Sequence, residues 1–187
     1  MRYFELENDM RIRDLWLLGD PMDGNGQEIW RGHFSSGQPL SVQLPLRIDM
    51  FDRGRALDFS TNAFGVPVIH GRVKAVFERL GLQDQMQIFP ISVEGQSDPY
   101  FLMNLLREVR CIDDARCDRV SYRTAEEGYE DGVGEYSNVV GMRIDPSKVG
   151  QEEIFRPWGW PVSIIVSERV KRAMEEARIS GAFFTEV

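Results

Sequence analysis

Histidine is scarce in this chain, with His33 and His70 the only two in 187 residues. Neither lies in an HxxxH or HExxH pattern, and the sequence has no Cys-x-x-Cys pair, Gly-x-Ser-x-Gly elbow or Walker-type loop. Such patterns mark much of the nucleophilic, zinc and phosphate chemistry that leaves a short signature. We therefore expect no catalytic residue and no cofactor, although a site built from carboxylates alone would leave no such pattern.

Long apolar runs are missing as well. No stretch of about 18 apolar residues occurs, and the first residues, MRYFELE, lack the apolar core of a secretory signal. We expect a cytoplasmic protein that does not bind a membrane. In that reducing compartment, Cys111 and Cys117 should be free thiols rather than a disulfide.

The chain does have the composition of a globular protein, with 42% hydrophobic residues, 11 Phe, 5 Tyr and 4 Trp. Such a sequence can bury a core. Its length fits one domain over residues 1–187, which could divide into a β-rich part, 1–65, and an α+β part, 66–187.

Acidic residues outnumber basic ones by 30 to 22, which gives a net charge of −8. A field of this sign repels phosphate backbones and anionic lipids, and it speeds encounter with a basic surface. Direct binding of nucleic acid is therefore disfavoured. Solubility alone is the other explanation for the charge.

The hydrophobic patterns predict an α+β fold, with a mostly antiparallel sheet, a few packing helices, and a remainder more helical than the β-rich beginning. Strands are predicted at 1–7 and 12–18, the second ended by Gly19-Asp20-Pro21. A helix is predicted from Pro67 to a cap at Gly81, with His70 beside its apolar stripe as a packing or surface residue.

The second half predicts a hairpin from 86–93 and 100–106, with Pro90 at an edge or a bulge. Residues 113–135 are mostly polar and are predicted to form a loop. Strands are predicted at 137–144 and 162–166. A last helix should begin after an N-cap at Ser167 and close at Gly181, before a strand at 182–187.

Two groups of carboxylates, one within residues 113–118 and one within residues 126–135, are the main candidates for function. The group within 126–135 alternates with tyrosine and glycine, which suit an adaptable recognition loop. Neither group has the spacing of a calcium loop, so no metal is expected. A solvated loop is the alternative to a recognition surface. The candidate partner-binding residues are Asp113, Asp114, Asp118, Glu126, Glu127, Tyr129, Glu130, Asp131, Glu135 and Tyr136.

Trp158-Gly159-Trp160 is a second place where a partner could bind. Paired tryptophans next to prolines, however, more often form a packed corner of the fold. The sequence favours the packed corner.

Several segments carry a family resemblance. The run from Tyr100 through Asn104 to Cys111-Ile112-Asp113-Asp114, followed by Ser121, resembles the central motif of bacterial polymorphic-toxin immunity proteins of family eleven, the myxobacterial type. The other similar segments are Leu57-Asp58-Phe59, Ile154-Phe155-Arg156, and the unit from Ile165 to Phe184.

The resemblance implies a cytosolic α+β protein that binds and neutralises a secreted toxin encoded beside it. Such toxins often look like nucleases of the HNH or AHH type, which present a basic surface to nucleic acid. The acidic chain would cover that surface, in agreement with its charge. No binding residue can be transferred from the family. A carboxylate-dependent hydrolase or transferase and an oligomeric adaptor stay open as alternatives, as does a homodimer.

Overall fold

A computed structural model of the chain describes residues 1–62, 64–127 and 132–187, apart from the side chains of Arg31 and Glu127. The described residues form two α-helices and thirteen β-strands, together with short 3-10 helices at Arg31–Ser35, Ala125–Glu127 and Pro146–Lys148. In chain order the elements are β1 (Tyr3–Asn8), β2 (Leu17–Met22), β3 (Leu46–Asp52), β4 (Phe59–Thr61), β5 (Pro67–His70), α1 (Gly71–Leu80), β6 (Met86–Val93), β7 (Tyr100–Leu105), β8 (Glu108–Val109), β9 (Arg119–Tyr122), β10 (Tyr136–Val140), β11 (Ile154–Pro157), β12 (Ile165–Ser167), α2 (Glu168–Glu176) and β13 (Ala182–Glu186).

The described strands form a six-stranded sheet, a five-stranded sheet and a two-stranded ribbon. The larger sheet has the order β2-β3-β6-β7-β5-β4, and the smaller one has the order β13-β1-β12-β11-β8. β3 runs parallel to β6 and β8 runs parallel to β11. The remaining described pairs are antiparallel. The predicted α+β class is confirmed, whereas the contrast between the two parts of the chain stays a prediction.

Strands such as β1, β5 and β7 bury side chains on both faces of their sheet, because successive side chains point to opposite faces. The outer face of β3, with Arg47, Asp49 and Phe51, is exposed. In β7, Met103 and Leu105 pack with both helices in a core shared by the two sheets. Leu102 points into a second core beneath the segment that contains Phe34. The other face of the five-stranded sheet forms a third core with residues of the segment that follows Cys111.

The helix predicted from Pro67 begins at Gly71, so its predicted start is wrong. Pro67–His70 form β5, which pairs with β4 and β7. The reason is that Val68 and Ile69 are drawn into cores on opposite faces of the sheet, as a strand requires. His70 then caps α1, because its Nδ1 accepts a hydrogen bond from the backbone N–H of Arg72. The predicted end at Gly81 is confirmed, with φ at 74°.

One prediction about proline was also wrong, and another is confirmed. Gly19-Asp20-Pro21 does not end a strand but lies inside β2, an edge strand with an irregular register, where proline is tolerated. β6 pairs with β3 only over Ile91–Val93, so Pro90 pairs with no described strand on that side. Pro90 thus has the edge position that was expected, where its missing N–H is not needed. The hairpin of β6 and β7 itself is confirmed.

The last helix begins as predicted, because the Ser167 hydroxyl accepts a hydrogen bond from the N–H of Val170. It ends at Glu176, not at Gly181. Gly181 has φ of 87° and lies against β4, where an added β-carbon would be 2.1 Å from the carbonyl oxygen of Phe59. Close backbone approach therefore accounts for this glycine. The strand at the end of the chain is confirmed as β13.

Among the described residues, no helix has the length and apolar character needed to cross a bilayer. Cys111 is buried, Cys117 is partly buried, and neither forms a disulfide. Burial raises the pKa of Cys111 to about 12 and also raises the pKa of Cys117.

Asp58, in one of the segments that resembled the family, links the start of α1 to the end of α2. Its Oδ2 accepts hydrogen bonds from Arg72 Nη1 at 2.7 Å, and from the backbone N–H and the hydroxyl of Ser180, both at 2.8 Å. Its Oδ1 lies 3.5 Å from His70 Nδ1. The carboxylate therefore holds two distant segments of the chain together.

We expect Asp58→Ala to lower the free energy of unfolding by about 1–3 kcal/mol, because three partly buried hydrogen bonds lose their acceptor. Urea denaturation measures the loss. Glu175→Ala, which removes an exposed ion pair with Lys171, is the control and should change stability by less than about 1 kcal/mol. Equal losses in the two variants would contradict this role of Asp58.

The raised thiol pKa values predict slow alkylation, since only the thiolate reacts. Iodoacetamide near neutral pH should leave Cys111 unlabelled in the folded protein and should label both cysteines in guanidinium chloride. Mass spectrometry reads the number of labels. A protein that stays unlabelled in denaturant without reductant would contain a disulfide, contrary to this structure.

Candidate partner-binding surface

The ribbon of β9 and β10 lies within the acidic part of the chain, so the prediction of a loop over 113–135 was partly wrong. Its strands pair Val120 with Val139 and Tyr122 with Tyr136. The two valines are partly buried against the third core. A segment of polar composition therefore forms strands because a few apolar residues reach a distant core.

The ribbon is attached to the corner at Trp158-Gly159-Trp160. The N–H of Tyr136 donates to the carbonyl of Gly159 at 3.0 Å. Gly159 has φ of 74°, and an added β-carbon would lie 3.3 Å from the Tyr136 ring. Trp160 packs against the third core, and Trp158 lies 3.2 Å beneath the guanidinium of Arg110. These contacts favour the packed corner over a binding site for a partner.

Asp114 joins the first group of carboxylates to the ribbon. Its Oδ1 accepts a hydrogen bond from the Tyr136 hydroxyl at 2.6 Å, and its Oδ2 accepts one from the Tyr122 hydroxyl. The two rings pack with their centroids 5.1 Å apart. Tyr136 is only 7% exposed. Both Asp114 and Tyr136 thus have a structural use, in which they fix the ribbon to its base.

The charge of Asp114 acts on both hydroxyls. Burial, and then the hydrogen bond to Asp114, raise the pKa of Tyr136, and the same carboxylate raises the pKa of Tyr122. A negative charge nearby disfavours the phenolate form. Both tyrosines therefore remain hydrogen-bond donors to Asp114 at neutral and mildly alkaline pH.

The other described candidates lie around the ribbon and are partly or fully exposed. Asp113 is partly exposed, and its carboxylate lies 3.9 Å from Arg116. Asp118 is exposed beside Gly141, where an added β-carbon would lie 2.1 Å from Asp118 Oδ2. Glu135 is partly buried and forms an ion pair with Arg123 at 3.0 Å. Glu126 is exposed in the 3-10 helix that follows β9.

The rest of the predicted surface falls outside the residues that the structure describes. This applies to the side chain of Glu127 and to Tyr129, Glu130 and Asp131. Their assignment as partner contacts stays a prediction from the sequence.

The electrostatic character changes along the ribbon. Near the body of the protein the ribbon carries arginines among the acids, for example Arg119 and Arg123. Residues 124–135, in contrast, contain five acidic residues and no basic residue. The pKa of Glu108 is raised by burial and by the negative charge of Glu135. Negative charge is therefore concentrated in the segment that connects β9 to β10.

The sequence model described as the Immunity protein family (Imm11) matches residues 2–187. The chain belongs to this immunity protein family. The resemblance that the motifs suggested is thus confirmed over essentially the whole length. No curated protein matches the chain.

For this family member, the segments that carried the resemblance have structural uses. Asp58 links the two helices, as described above. Asn104 is fully buried and donates from its side chain to the carbonyl of Gln38 at 2.8 Å and to Gln87 Oε1 at 3.0 Å. Ser167 caps α2.

The described residues contain no group of histidine, cysteine and acidic side chains arranged to hold a metal ion. The contact between His70 and Asp58 is not built as a nucleophile site, because His70 Nδ1 accepts from the backbone of Arg72 and the Ser180 hydroxyl donates to Asp58. The geometry around Asp58 thus serves folding.

A cavity beside the ribbon was not predicted. Its lining comes from Trp30 and Phe34, from residues 64–66, from Arg123, and from Arg156 together with Pro161 and Val162. These positions are far apart in the chain, so no local pattern could bring them together. The one local signal is Arg156, a charged residue inside the apolar run Ile154–Pro157.

If Asp114 holds the ribbon, Asp114→Ala should raise the amide hydrogen-exchange rates of β9 and β10 by about 5–30-fold, the factor that corresponds to a loss of 1–2 kcal/mol. Asp118→Ala, a neighbouring change at an exposed carboxylate, should leave those rates close to wild type. Exchange that is equally slow in both variants would rule out the anchoring role.

Proposed function

We propose that this immunity protein neutralises a cognate toxin by forming a stoichiometric complex with it. We further propose that the toxin is a nuclease of the HNH or AHH type, whose basic surface would otherwise bind nucleic acid. Membership of the family supports the first statement. The run of five acids without a base in residues 124–135 supports the second.

The way the ribbon is attached to the protein supports residues 124–135 as the part that contacts the toxin. Tyr122, Tyr136 and Asp114 fix the base of the ribbon, and Gly159 brings it against the body of the protein. The strands on either side of the acidic segment 124–135 are therefore held in place, which limits the conformational entropy lost on binding. Carboxylates in this position would pair with lysine and arginine side chains that normally contact phosphate.

The proposed contact residues divide by their position. Asp114 and Tyr136 hold the ribbon, while Asp113 and Asp118 lie near its base. The residues that would meet the toxin directly are Glu126, Glu127, Tyr129, Glu130, Asp131 and Glu135. Inhibition would follow from coverage of the substrate-binding surface. Family membership favours this function over a carboxylate-dependent hydrolase or an oligomeric adaptor.

The charges of the connection should govern the rate of association. We expect the quadruple variant Glu126→Lys, Glu127→Lys, Glu130→Lys and Asp131→Lys to associate about 10–1000-fold more slowly at low salt with the toxin domain encoded beside this protein. The difference should shrink as salt is added, because salt screens the attraction. Stopped-flow fluorescence measures the rate, and survival of cells that express the toxin measures protection.

A control of equal charge change is available elsewhere on the molecule. Glu78, Asp84, Glu175 and Glu176 are exposed acids outside the ribbon, and their replacement by lysine should slow association much less. If both quadruple variants slow association equally, net charge rather than the ribbon would govern the encounter. If wild-type protein binds no neighbouring toxin domain, the proposed function itself fails.

A further inference from the structure

Arg156 carries a buried positive charge that no carboxylate of the described chain neutralises. The residue is 2% exposed. Its Nη1 donates to the carbonyl of Pro161, and its Nη2 donates to the carbonyl of Gly65 at 3.3 Å. Its Nε is buried and has no hydrogen-bond partner. Two carbonyl oxygens therefore supply the polar contacts of a guanidinium that has five N–H groups.

Such an arrangement is energetically unfavourable by itself. A charge removed from water is normally paired, because carbonyl groups alone do not replace its hydration. Burial lowers the pKa of Arg156 to about 10, so the side chain still carries its charge at neutral pH. The site thus has a cation that an incoming anion would stabilise.

Arg156 lines a cavity of about 600 Å³. Three large apolar side chains at the same cavity are exposed to solvent, Trp30 at 64%, Val162 at 62% and Phe64 at 46%. Large apolar side chains grouped on a surface mark sites where another protein binds. A small anion on Arg156 would leave these three side chains in water, whereas a protein segment would cover them.

Trp30 is held in place before any partner arrives. Its indole lies on the backbone of Gly32, where an added β-carbon would be only 2.2 Å from the ring. The His33 ring packs against it edge-on, with the centroids 5.3 Å apart. An exposed and fixed tryptophan is the kind of residue that dominates binding energy in protein interfaces.

The cavity also adjoins the ribbon. Arg123, which immediately follows β9, lines the cavity and pairs with Glu135. A toxin bound to the ribbon would therefore lie next to the mouth of the cavity. The two neighbouring surfaces differ in charge. The ribbon presents carboxylates, whereas the cavity presents the buried guanidinium of Arg156 inside an apolar rim formed by Trp30, Phe64 and Val162.

We propose that this cavity receives an aspartate or glutamate side chain of the toxin, which binds Arg156 while an apolar residue of the same segment packs against Trp30, Phe64 and Val162. This inference rests on the proposed function for the identity of the partner. The acidic ribbon and the cationic cavity would together select a surface that carries a basic patch beside an acidic, apolar segment.

The rim can be tested with the full-length protein and the toxin domain that it binds. Trp30→Ala should weaken binding about 30-fold or more, the effect of losing an interface hot spot. Val162→Glu should weaken it too, because it places a carboxylate at the mouth of a site for a carboxylate. Phe51→Ala, which removes a side chain that is 74% exposed on β3, is the matched control and should bind like wild type. Binding unchanged in both rim variants would overturn the proposal.

Binding of a carboxylate by Arg156 can be tested without the toxin. Failure of this inference is then distinguishable from failure of the proposed function. Phenylacetate, a carboxylate joined to an aromatic ring, is titrated into the wild-type protein, and phenylacetamide is its uncharged control. Nuclear magnetic resonance should show saturable shifts of the Gly65 and Val66 amides and of the Trp30 indole with phenylacetate alone. Equal shifts with both compounds, or none with phenylacetate, would overturn the role of Arg156.

The variant Arg156→Met complements this titration, because it removes the charge and keeps an unbranched apolar side chain. It should abolish the phenylacetate shifts while the remaining amide spectrum stays dispersed. Should this variant fail to fold, the comparison of phenylacetate with phenylacetamide on wild-type protein still decides the proposal.

Discussion

Three hydrophobic cores hold the fold together, and single strands supply side chains to two of them at once. In β1, Tyr3 enters one core and Phe4 enters another, and in β5 the same holds for Val68 and Ile69. These cores close most of the surface of both sheets to a partner, and the outer face of β3 is the part of the larger sheet that stays exposed. The groups proposed for recognition lie on the ribbon, in connections between strands of one sheet, and at Arg156 in β11.

The ribbon and the cavity beside it form the part of the molecule best suited to bind a protein. The ribbon concentrates negative charge beyond a base fixed by Asp114 and two tyrosines. The cavity contains a cation that has only carbonyl partners, behind a rim with an exposed tryptophan. The ion pair of Arg123 and Glu135 lies between them. An interface that joins both would combine charge attraction, which speeds encounter, with apolar anchors, which slow dissociation.

The sequence predicted those features that depend on a few neighbouring residues. The N-cap at Ser167, the end of α1 at Gly81 and the hairpin of β6 and β7 are of this kind. The start of α1 was placed too early because Ile69 fits both the spacing of the helical stripe and a strand buried on both sides. Only the neighbouring strands β4 and β7 decide between the two.

The candidate site was predicted in its charge but not in its geometry. The tyrosines that bind Asp114 are eight and 22 positions away from it, and no rule of spacing joins them. β9 was missed because Val120 and Val139 become apolar anchors only when the third core exists. The cavity was missed for the same reason, since its lining comes from four separate parts of the chain.

The proposed interface with the toxin extends across both the ribbon and the cavity. Amide hydrogen exchange read by mass spectrometry, on the protein alone and in its complex with the toxin domain, tests this directly. A toxin bound across both should slow exchange at residues 30–36, 64–66, 119–140 and 161–163 and leave α1 and α2 unchanged. Slower exchange confined to the helices or to the edge strand β13, with none in the ribbon or around the cavity, would contradict it.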